Sequence, residues 1–263
     1  RTKLSENLFK GLAPWLQRLP GGLIHVNVVG CALFAAISGS SAATVATVGK
    51  MSIPELRKRK YPEKILLGSL AGSGTLGLLI PPSIILIIYG VTVQESIAKL
   101  FIAGIIPGIM IALIFMSYVI VWSLINKKSM PKSNENSSFL EKVKKSKQLM
   151  PVVLLILAVI GSIYTGIATA TEAASLGVVG ALILSYLQKS LNIETFKDSL
   201  LGATKTSCMI AFILAGATFL SLAMGFTGLP RNLAIWIQGM ELSPYVLIFV
   251  LMIFYIILGM FLD

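Results

Sequence analysis

Two interrupted apolar segments near the start of the chain decide how it folds. Residues 21–41 read GGLIHVNVVGCALFAAISGSS, and residues 65–83 read ILLGSLAGSGTLGLLIPPS. The first segment is broken by the serine–glycine run at 38–41 and stays apolar only to about Met51. A helix needs about 20 residues to cross a hydrocarbon core about 30 Å thick. The apolar stretch after Ser41 is too short to cross, so we expect the chain to turn back there.

Basic residues flank the first segment on both sides. The positive-inside rule places both flanks in the cytoplasm, so residues 21–51 are predicted to form a re-entrant helical hairpin. Residues 65–91, broken by glycines and by two prolines, are predicted to form a discontinuous helix. Interrupted apolar segments of this kind are the best sequence pointer to the binding site of a transporter. The flanking basic residues are Arg1, Lys3, Lys10 and Arg18 on one side and Lys50, Arg57, Lys58, Arg59, Lys60 and Lys64 on the other.

Composition indicates a polytopic membrane protein. The chain is 56% hydrophobic and only 13% charged, and its formal net charge is +11. The basic residues lie in loops between apolar runs, so they favour a topology signal and attraction to the lipid bilayer over nucleic-acid binding. Cys31 and Cys208 fall inside apolar segments and His25 is the only histidine, so neither a disulfide nor a metal centre is expected. The chain starts and stops in mid-pattern, and we expect it to be an internal portion of a longer protein.

The remaining segments alternate between membrane and interface. Residues 244–263 carry a short apolar arm that ends in glycine and aspartate, which favours the start of a second re-entrant hairpin entering from the opposite face. Opposed features of this kind are typical of an inverted repeat. A plain spanning helix remains the alternative for this arm, and a soluble helix packed on a partner remains one for residues 1–20. The predicted segments are an amphipathic interfacial arm helix at 1–20, membrane helices within 99–188 around a cytoplasmic connector at 126–148, a second interfacial helix at 189–205 and a membrane helix at 206–226.

The two breaks carry oxygen atoms suited to a hard monovalent cation. Sodium is held by a shell of oxygens, which hydroxyls and unwound carbonyls supply without a carboxylate. Close packing of small residues in lipid is the competing explanation, but it accounts poorly for two consecutive prolines where water is absent. The hydroxyls belong to Ser38, Ser40, Ser41, Ser73, Thr75 and Ser83, and the backbone expected to unwind lies at Gly39, Gly74 and Gly77.

Other functions fit the pattern less well. An intramembrane serine protease needs a serine beside a base, and Ser40 and His25 are the only pair available. They lie about one helix length apart on the same hairpin, so they are badly placed to meet, and we do not expect an enzyme. A channel is harder to exclude, because broken helices also line pores.

Several motifs along nearly the whole chain resemble one family. The chain is similar to the large membrane (M) subunit of tripartite ATP-independent periplasmic (TRAP) transporters. Each motif alone would be a weak signal, whereas together they are specific. The motifs are GGLIHVNV at 21–28, AISGS at 36–40, IPE at 53–55, GTLGLLIPPS at 74–83, LFIAGIIPG at 100–108, TEAA at 171–174 and GMFLD at 259–263.

The resemblance implies an all-α elevator-type transporter of the bacterial inner membrane, in which sodium drives uptake of an organic acid anion such as a C4-dicarboxylate, sialic acid or another sugar acid. It also implies a periplasmic substrate-binding protein, a small membrane subunit that is separate or fused, and no organic cofactor. A sodium/dicarboxylate symporter that needs no binding protein is the runner-up. Residues 42–45 lack the acidic residue of many relatives, so no carboxylate ligand is assigned there. The resemblance makes residues 38–41 the first hairpin tip, residues 74–83 its facing clamp, and Gly259 and Asp263 part of the second hairpin tip. The predicted sodium ligands are Ser38, Gly39, Ser40, Ser41, Ser73, Gly74, Thr75 and Gly77, and the predicted substrate-facing residues are Ser40, Thr75, Pro81, Pro82 and Ser83.

Overall fold

The computed structural model describes residues 4–131, 142, 145–147 and 149–261, and every regular element among them is a helix. Two compact units are present, Arg1–Asn192 and Ile193–Asp263. The all-helical prediction is therefore confirmed for the described residues. The α-helices of the first unit are α1 (Leu4–Leu16), α2 (His25–Ser38), α3 (Ser41–Lys58), α4 (Glu63–Gly74), α5 (Leu76–Leu79), α6 (Ile84–Val93), α7 (Ile97–Ile125), α8 (Met150–Tyr164) and α9 (Ala170–Leu187).

Helices α2 and α3 form an antiparallel pair. Ser38 contacts Thr44 beside the turn, whereas Ile24 and Leu56 share a buried cluster at the other end of the pair. Facing positions on the two helices therefore have residue numbers that add up to nearly the same total. This is the pattern of two helices that run in opposite directions from a common turn. Its second helix runs seven residues beyond Met51, since α3 ends at Lys58. The predicted end of the hairpin at residue 51 therefore marks only the end of its apolar part, and the helix itself is longer.

The base of this hairpin, meaning the end opposite the turn, is held together by a buried cluster. Phe9 and Leu12 of α1 pack there against Ile24, Leu56 and other buried apolar residues, so the arm helix rests on the hairpin. Tyr61 joins the cluster and its hydroxyl accepts a hydrogen bond from the Leu23 N–H at 3.1 Å. Burial raises the pKa of the Tyr61 phenol, which keeps it neutral. This cluster packs α1, the start of α2, the end of α3 and the start of α4 together.

The discontinuous helix has a one-residue interruption at Thr75 and a longer break at the two prolines. Helix α4 continues through the glycine-rich run to Gly74, and α5 follows after the single turn residue Thr75. The extended backbone is confined to residues 80–83, named here the proline break, which includes a cis peptide bond between Pro81 and Pro82. The expectation that Gly74 and Gly77 unwind is therefore wrong, because Gly74 is the last residue of α4 and Gly77 lies within α5. The break itself at the two prolines is confirmed.

The second unit is described by itself. Its helices are α10 (Ile193–Thr227), α11 (Leu229–Gln238) and α12 (Pro244–Phe261). The predicted interfacial helix at 189–205 and membrane helix at 206–226 are not two separate helices, because α10 runs without interruption over 35 residues. Helix α12 continues through Gly259 to Phe261, so no break occurs at that glycine, and Asp263 lies outside the described residues.

Several helices are suited to a bilayer. Within the described residues, four have the length and hydropathy to cross it, namely Glu63–Val93, Ile97–Ile125, Ala170–Leu187 and Ile193–Thr227. Shorter apolar helices cover Gly22–Ser38, Val153–Tyr164 and Pro244–Met260. The chain is a multi-pass membrane protein. Most of the predicted connector at 126–148 lies outside the described residues.

Candidate functional site

The turn of the hairpin, residues 38–41, is named here the hairpin tip. Gly39 ends α2 in the left-handed conformation with φ of 59°, and its N–H still donates to the Ala35 carbonyl at 2.9 Å. Ser40 is extended and precedes α3, where its Oγ accepts a hydrogen bond from the Ala43 N–H at 3.4 Å. Glycine tolerates positive φ without steric cost, and serine is a favoured helix N-cap. The sequence therefore reverses direction within two residues.

Three oxygen atoms lie together inside the hairpin tip. The Thr44 Oγ1 donates to the Ser40 carbonyl oxygen at 2.7 Å and lies 2.8 Å from the Ser38 Oγ. The Ser38 Oγ lies 3.3 Å from the same Ser40 carbonyl oxygen. Thr44 is fully buried in the hairpin. Two hydroxyls and one carbonyl thus converge without a charged residue, and this oxygen triad is defined as Ser38 Oγ, Ser40 O and Thr44 Oγ1.

The proline break lies against the hairpin tip. The Gly39 carbonyl accepts a hydrogen bond from the Ile84 N–H at 3.2 Å, so the end of α2 meets the first residue of α6. A Cβ atom on Gly39 would lie only 2.8 Å from the Pro82 carbonyl oxygen. Ser83 is fully buried, and its Oγ donates to the Leu78 carbonyl at 2.6 Å across the break. Two irregular backbone segments from separate parts of the sequence therefore contact each other and share a backbone hydrogen bond.

Two glycines on the facing helices permit this approach. A Cβ on Gly77 would lie 2.8 Å from the Ser40 carbonyl carbon and oxygen and 2.9 Å from the Ser41 nitrogen. A Cβ on Gly74 would overlap the Val45 side chain. These distances are shorter than ordinary van der Waals contact, so the glycines are needed for backbone proximity. They do not supply unwound carbonyls, because both are helical.

The structure brings most of the sequence-predicted site residues together. Ser38, Gly39, Ser40 and Ser41 form the hairpin tip, and Gly74, Gly77, Pro82 and Ser83 lie at its facing surface, with Pro81 buried beside Gly104. Two predicted hydroxyls are used elsewhere. The buried Ser73 Oγ donates to the Ser69 carbonyl of its own helix. The exposed Thr75 Oγ1 donates to the Gly72 carbonyl at 2.7 Å.

Thr44 was missed by the sequence reasoning. It is the residue that closes the oxygen triad, and it reaches the Ser40 carbonyl with both its hydroxyl and its own N–H, the latter at 3.0 Å. Its position four residues after Ser40 is the usable signal. A threonine at that spacing on a helix places its hydroxyl over the preceding turn.

The ends of three helices give the site a polarised backbone. The C-terminus of α2 carries partial negative charge and suits a cation, whereas the N-termini of α3 and α6 carry partial positive charge and suit an anion. Among the described residues, no group of three or more His, Cys, Asp and Glu side chains is placed to hold a metal. A cation at the hairpin tip would therefore be bound by hydroxyls and carbonyls.

An apolar cavity of about 340 Å³ borders the hairpin tip. Ala36, Ile37 and Pro82 form one wall, and small or alkyl residues of α8 and α9, including Val159 and Gly177, form the other. The cavity therefore separates the hairpin and the proline break from a different pair of helices. Such a gap offers space for the carbon skeleton of a small ligand next to the polarised helix ends.

The protease arrangement is absent from these helices. His25 is the first residue of α2 and Ser40 follows its end, so the two lie about 20 Å apart along the axis. The buried His25 Nε2 is hydrogen-bonded with the Pro20 carbonyl at 2.8 Å. His25 thus lies at the base of the hairpin, away from the turn, as a packed and hydrogen-bonded residue.

Comparison with known proteins identifies relatives over the whole chain. The family model described as "Tripartite ATP-independent periplasmic transporter, DctM component" matches residues 1–263. The C4-dicarboxylate TRAP transporter large permease protein DctM of Pseudomonas aeruginosa is 34% identical over 92% of this chain and 56% of its own length. Similarity therefore extends beyond the motifs at the two breaks.

Two further relatives carry other substrate names. The sialic acid TRAP transporter large permease protein SiaM of Vibrio cholerae is 31% identical over 99% of this chain and 60% of its own length. The isethionate TRAP transporter permease protein DctMQ of Oleidesulfovibrio alaskensis is 32% identical over 99% of this chain and 41% of its own length. The chain thus spans about half the length of the curated relatives it matches. All three relatives are named as transporter permeases.

Proposed function

Because this chain belongs to the DctM component family of tripartite ATP-independent periplasmic transporters, we propose that it carries out sodium-coupled uptake of an organic acid anion. The observation that supports this most directly is the meeting of the hairpin tip with the proline break, where the Gly39 carbonyl accepts a hydrogen bond from the Ile84 N–H. Transporters of this general kind bind ions and substrate where discontinuous helices meet near the middle of the bilayer. The protein is a transporter subunit and not an enzyme.

The first sodium ion binds at the hairpin tip. The oxygen triad supplies two hydroxyls and a carbonyl within 3.3 Å of one another. Hydrogen atoms on the hydroxyls now satisfy these contacts internally, and rotation of the Ser38 and Thr44 hydroxyls would turn their lone pairs toward a cation. The partial negative charge at the end of α2 favours the same charge sign. Thr44 therefore joins Ser38 and Ser40 as a proposed ligand, in place of Ser73.

The substrate occupies the cavity beside the tip. Its carboxylate or sulfonate would lie toward the N-termini of α3 and α6, where backbone amides favour an anion, and its carbon skeleton would lie against Ile37 and Pro82. The named substrates of the three relatives, C4-dicarboxylate, sialic acid and isethionate, are all organic anions. Thr75, exposed and bonded to its own helix, is not needed in this arrangement.

The proposed transport cycle moves the hairpin and the discontinuous helix as one body. Their mutual hydrogen bonds and close backbone contacts would keep the site intact, while the cavity against α8 and α9 marks the surface along which they slide. A periplasmic binding protein would deliver the anion, and a small membrane subunit, separate or fused as the name DctMQ of one relative suggests, would complete the complex in the bacterial inner membrane.

The test is uptake by the full-length protein in proteoliposomes. Labelled C4-dicarboxylate, sialic acid and isethionate would be offered with and without the cognate binding protein, and with an inward sodium gradient or an equal potassium gradient. We expect uptake of one of them only with both sodium and binding protein. Uptake that needs sodium but not binding protein would favour the simpler symporter. Uptake that continues in potassium without any gradient would contradict symport and indicate a channel.

A further inference from the structure

A polar cavity lies where the arm helix joins the hairpin. It has a volume of about 350 Å³ and is named here the head pocket. Its walls come from the connection between α1 and α2, from the loop before α4 and from the end of α7. The lining residues that the argument uses are Arg18, Gly21, Tyr61, Ser123 and Lys127.

The head pocket is positively charged. Arg18, in the connection between α1 and α2, and Lys127, just after α7, are both exposed and form no ion pair within the described part of the chain. None of the residues that line the pocket is acidic. Two unpaired cations facing one cavity, with no acid in its wall, favour an anion such as a phosphate.

A second cavity, apolar and about 300 Å³ in volume, lies between α4 and α7. It is named here the tail groove and is lined by Gly68, Ser69, Ile114, Phe115, Tyr118 and Val119. The one hydroxyl of its wall near α4 is engaged, since the Ser69 Oγ donates to the Leu66 carbonyl at 3.1 Å and accepts from the Asn27 amide at 3.0 Å. A Cβ on Gly68 would meet no atom within 4 Å, so this glycine opens the groove.

The two cavities are neighbours along α7. Val119 lines the tail groove, and its Cγ1 would lie 2.6 Å from a Cβ placed on Gly21, which lines the head pocket. Ser123 of the head pocket follows Val119 by four residues, or about 6 Å along the axis. Helix α7 ends next to Lys127 and Lys128, which the positive-inside rule places at the cytoplasmic surface. The charged cavity therefore lies at the level of lipid headgroups and the apolar one lies deeper.

We propose that the head pocket and the tail groove together bind one anionic phospholipid from the cytoplasmic leaflet. The phosphate pairs with Arg18 and Lys127, and one acyl chain lies in the tail groove over Gly68. Basic pockets between membrane helices on the cytoplasmic side are suited to anionic headgroups, and a groove of alkyl and aromatic side chains is suited to a chain. This lipid would bridge the arm helix and α7 at the base of the hairpin, away from its turn.

The experiment measures lipid binding to the purified, delipidated protein by native mass spectrometry. Phosphatidylglycerol is titrated against the unaltered protein, R18Q/K127Q and G68L. The matched controls are K58Q/K64Q, which removes two exposed cytoplasmic charges outside the pocket, and G161L, which alters another glycine with open space around it. Thermal unfolding of each variant checks that it is folded.

We expect R18Q/K127Q to weaken phosphatidylglycerol binding by at least about fivefold, since one basic residue near an anionic headgroup contributes about that factor. G68L should weaken it several-fold by filling the groove, and the two controls should bind as the unaltered protein does. Phosphatidylcholine should bind less tightly, and glycerol 3-phosphate at the same concentration should not displace the lipid. Unchanged binding by R18Q/K127Q, equal binding of phosphatidylcholine, or displacement by glycerol 3-phosphate would each overturn the proposal.

Discussion

At the scale of single residues, Gly77 shows what the site requires. An alanine there would place a Cβ 2.8 Å from the Ser40 carbonyl, and the atoms it meets belong to the backbone, which cannot rotate away as a flexible side chain can. We predict that Gly77→Ala destabilises the protein by about 1–3 kcal/mol, the usual cost of overpacking, and abolishes uptake. Thermal unfolding of the purified protein and transport in proteoliposomes measure the two effects.

Gly68→Ala is the matched control for this substitution. Gly68 lies in α4 of the same broken segment, but a Cβ on it would meet nothing within 4 Å. The control should be neutral or slightly stabilising, because alanine is the better helix former. If Gly77→Ala transports as well as Gly68→Ala, the close approach of the two segments does not occur in the working protein.

Thr44 provides the residue-scale test of the oxygen triad. Thr44→Val keeps the shape of the side chain and removes the hydroxyl that lies 2.8 Å from Ser38 Oγ. We predict that the sodium concentration for half-maximal uptake rises about 5- to 10-fold, as expected for loss of one interaction of about 1–1.5 kcal/mol. At the same sodium concentration, sodium should also raise the melting temperature of Thr44→Val less than that of the unaltered protein, because stabilisation by a ligand falls as its affinity falls.

Thr47→Val serves as the control, since Thr47 lies one turn further along α3 and outside the triad. It should keep both the sodium dependence of uptake and the stabilisation by sodium. A Thr44→Val protein that sodium stabilises as much as it does the unaltered protein would remove Thr44 from the cation site and leave it as a structural residue of the turn.

Residue chemistry alone separated the hydroxyls only in part. Ser38 and Ser40 were predictable, because they flank the glycine that reverses the chain. Ser73 and Thr75 were not, because a serine or threonine on a helix often bonds a carbonyl three or four residues back, as both do here. Whether a hydroxyl is available at the site or donates to a carbonyl of its own helix depends on where the helix ends.

At the scale of elements, the position of the helix break was misjudged for a physical reason. Glycine costs about 1 kcal/mol in a helix in water, where an unwound backbone is hydrated. In a membrane no water replaces the helical bonds, so α4 keeps its helix through Gly72 and Gly74. Proline removes the donor itself, which is why the break falls at residues 80–83. The pair of prolines was the reliable signal, and the glycines were a signal for close packing.

Helix α10 supplies a prediction at this scale. Its 35 residues would extend about 52 Å, well beyond a core about 30 Å thick, so the charged first half must leave the hydrocarbon. Spin labels at Lys197 and Phe219 should lie about 33 Å apart in one straight helix. A separate interfacial helix meeting a membrane helix at a right angle would give about 23 Å by the same rise per residue.

Double electron–electron resonance on the full-length protein measures this separation. Labels at Thr206 and Phe219 form the control pair, since they lie on the same half and should be about 20 Å apart in either arrangement. The composition shift near Lys205 was interpreted as a boundary between elements, yet α10 continues through it as one helix. The polar half marks an environment and not a new element.

At the scale of the whole molecule, the sequence predicted the class and the family match confirmed it, whereas the mechanism remains a proposal. All-helical structure and spanning lengths follow from apolar runs, and the family follows from motifs that cover residues 1–263. The inverted repeat does not follow, because α12 is helical through Phe261 and the chain spans about half the length of its relatives.

The sidedness of the hairpin is the whole-molecule property on which the proposed mechanism depends. Helix α2 has 14 residues and reaches about 21 Å, which is short of the bilayer core. Helix α3 has 18 residues, but its second half carries Lys50, Glu55 and Arg57. Helices α2 and α3 are antiparallel and share a buried cluster at the base of the hairpin. The start of α2 and the end of α3 should therefore both lie on the cytoplasmic side.

Cysteine labelling in a variant without Cys31 and Cys208 tests this arrangement. Cysteines at Lys10 and Lys58 should react with a membrane-impermeant maleimide only in inverted vesicles, because both flank the hairpin. A cysteine at Glu95, in the turn after α6, should react only in right-side-out vesicles and reports the other face. If Lys10 and Lys58 reacted from opposite faces, the serine–glycine tip would belong to a crossing segment. A cation held there would then have no hairpin to move with, and symport by this route would fail.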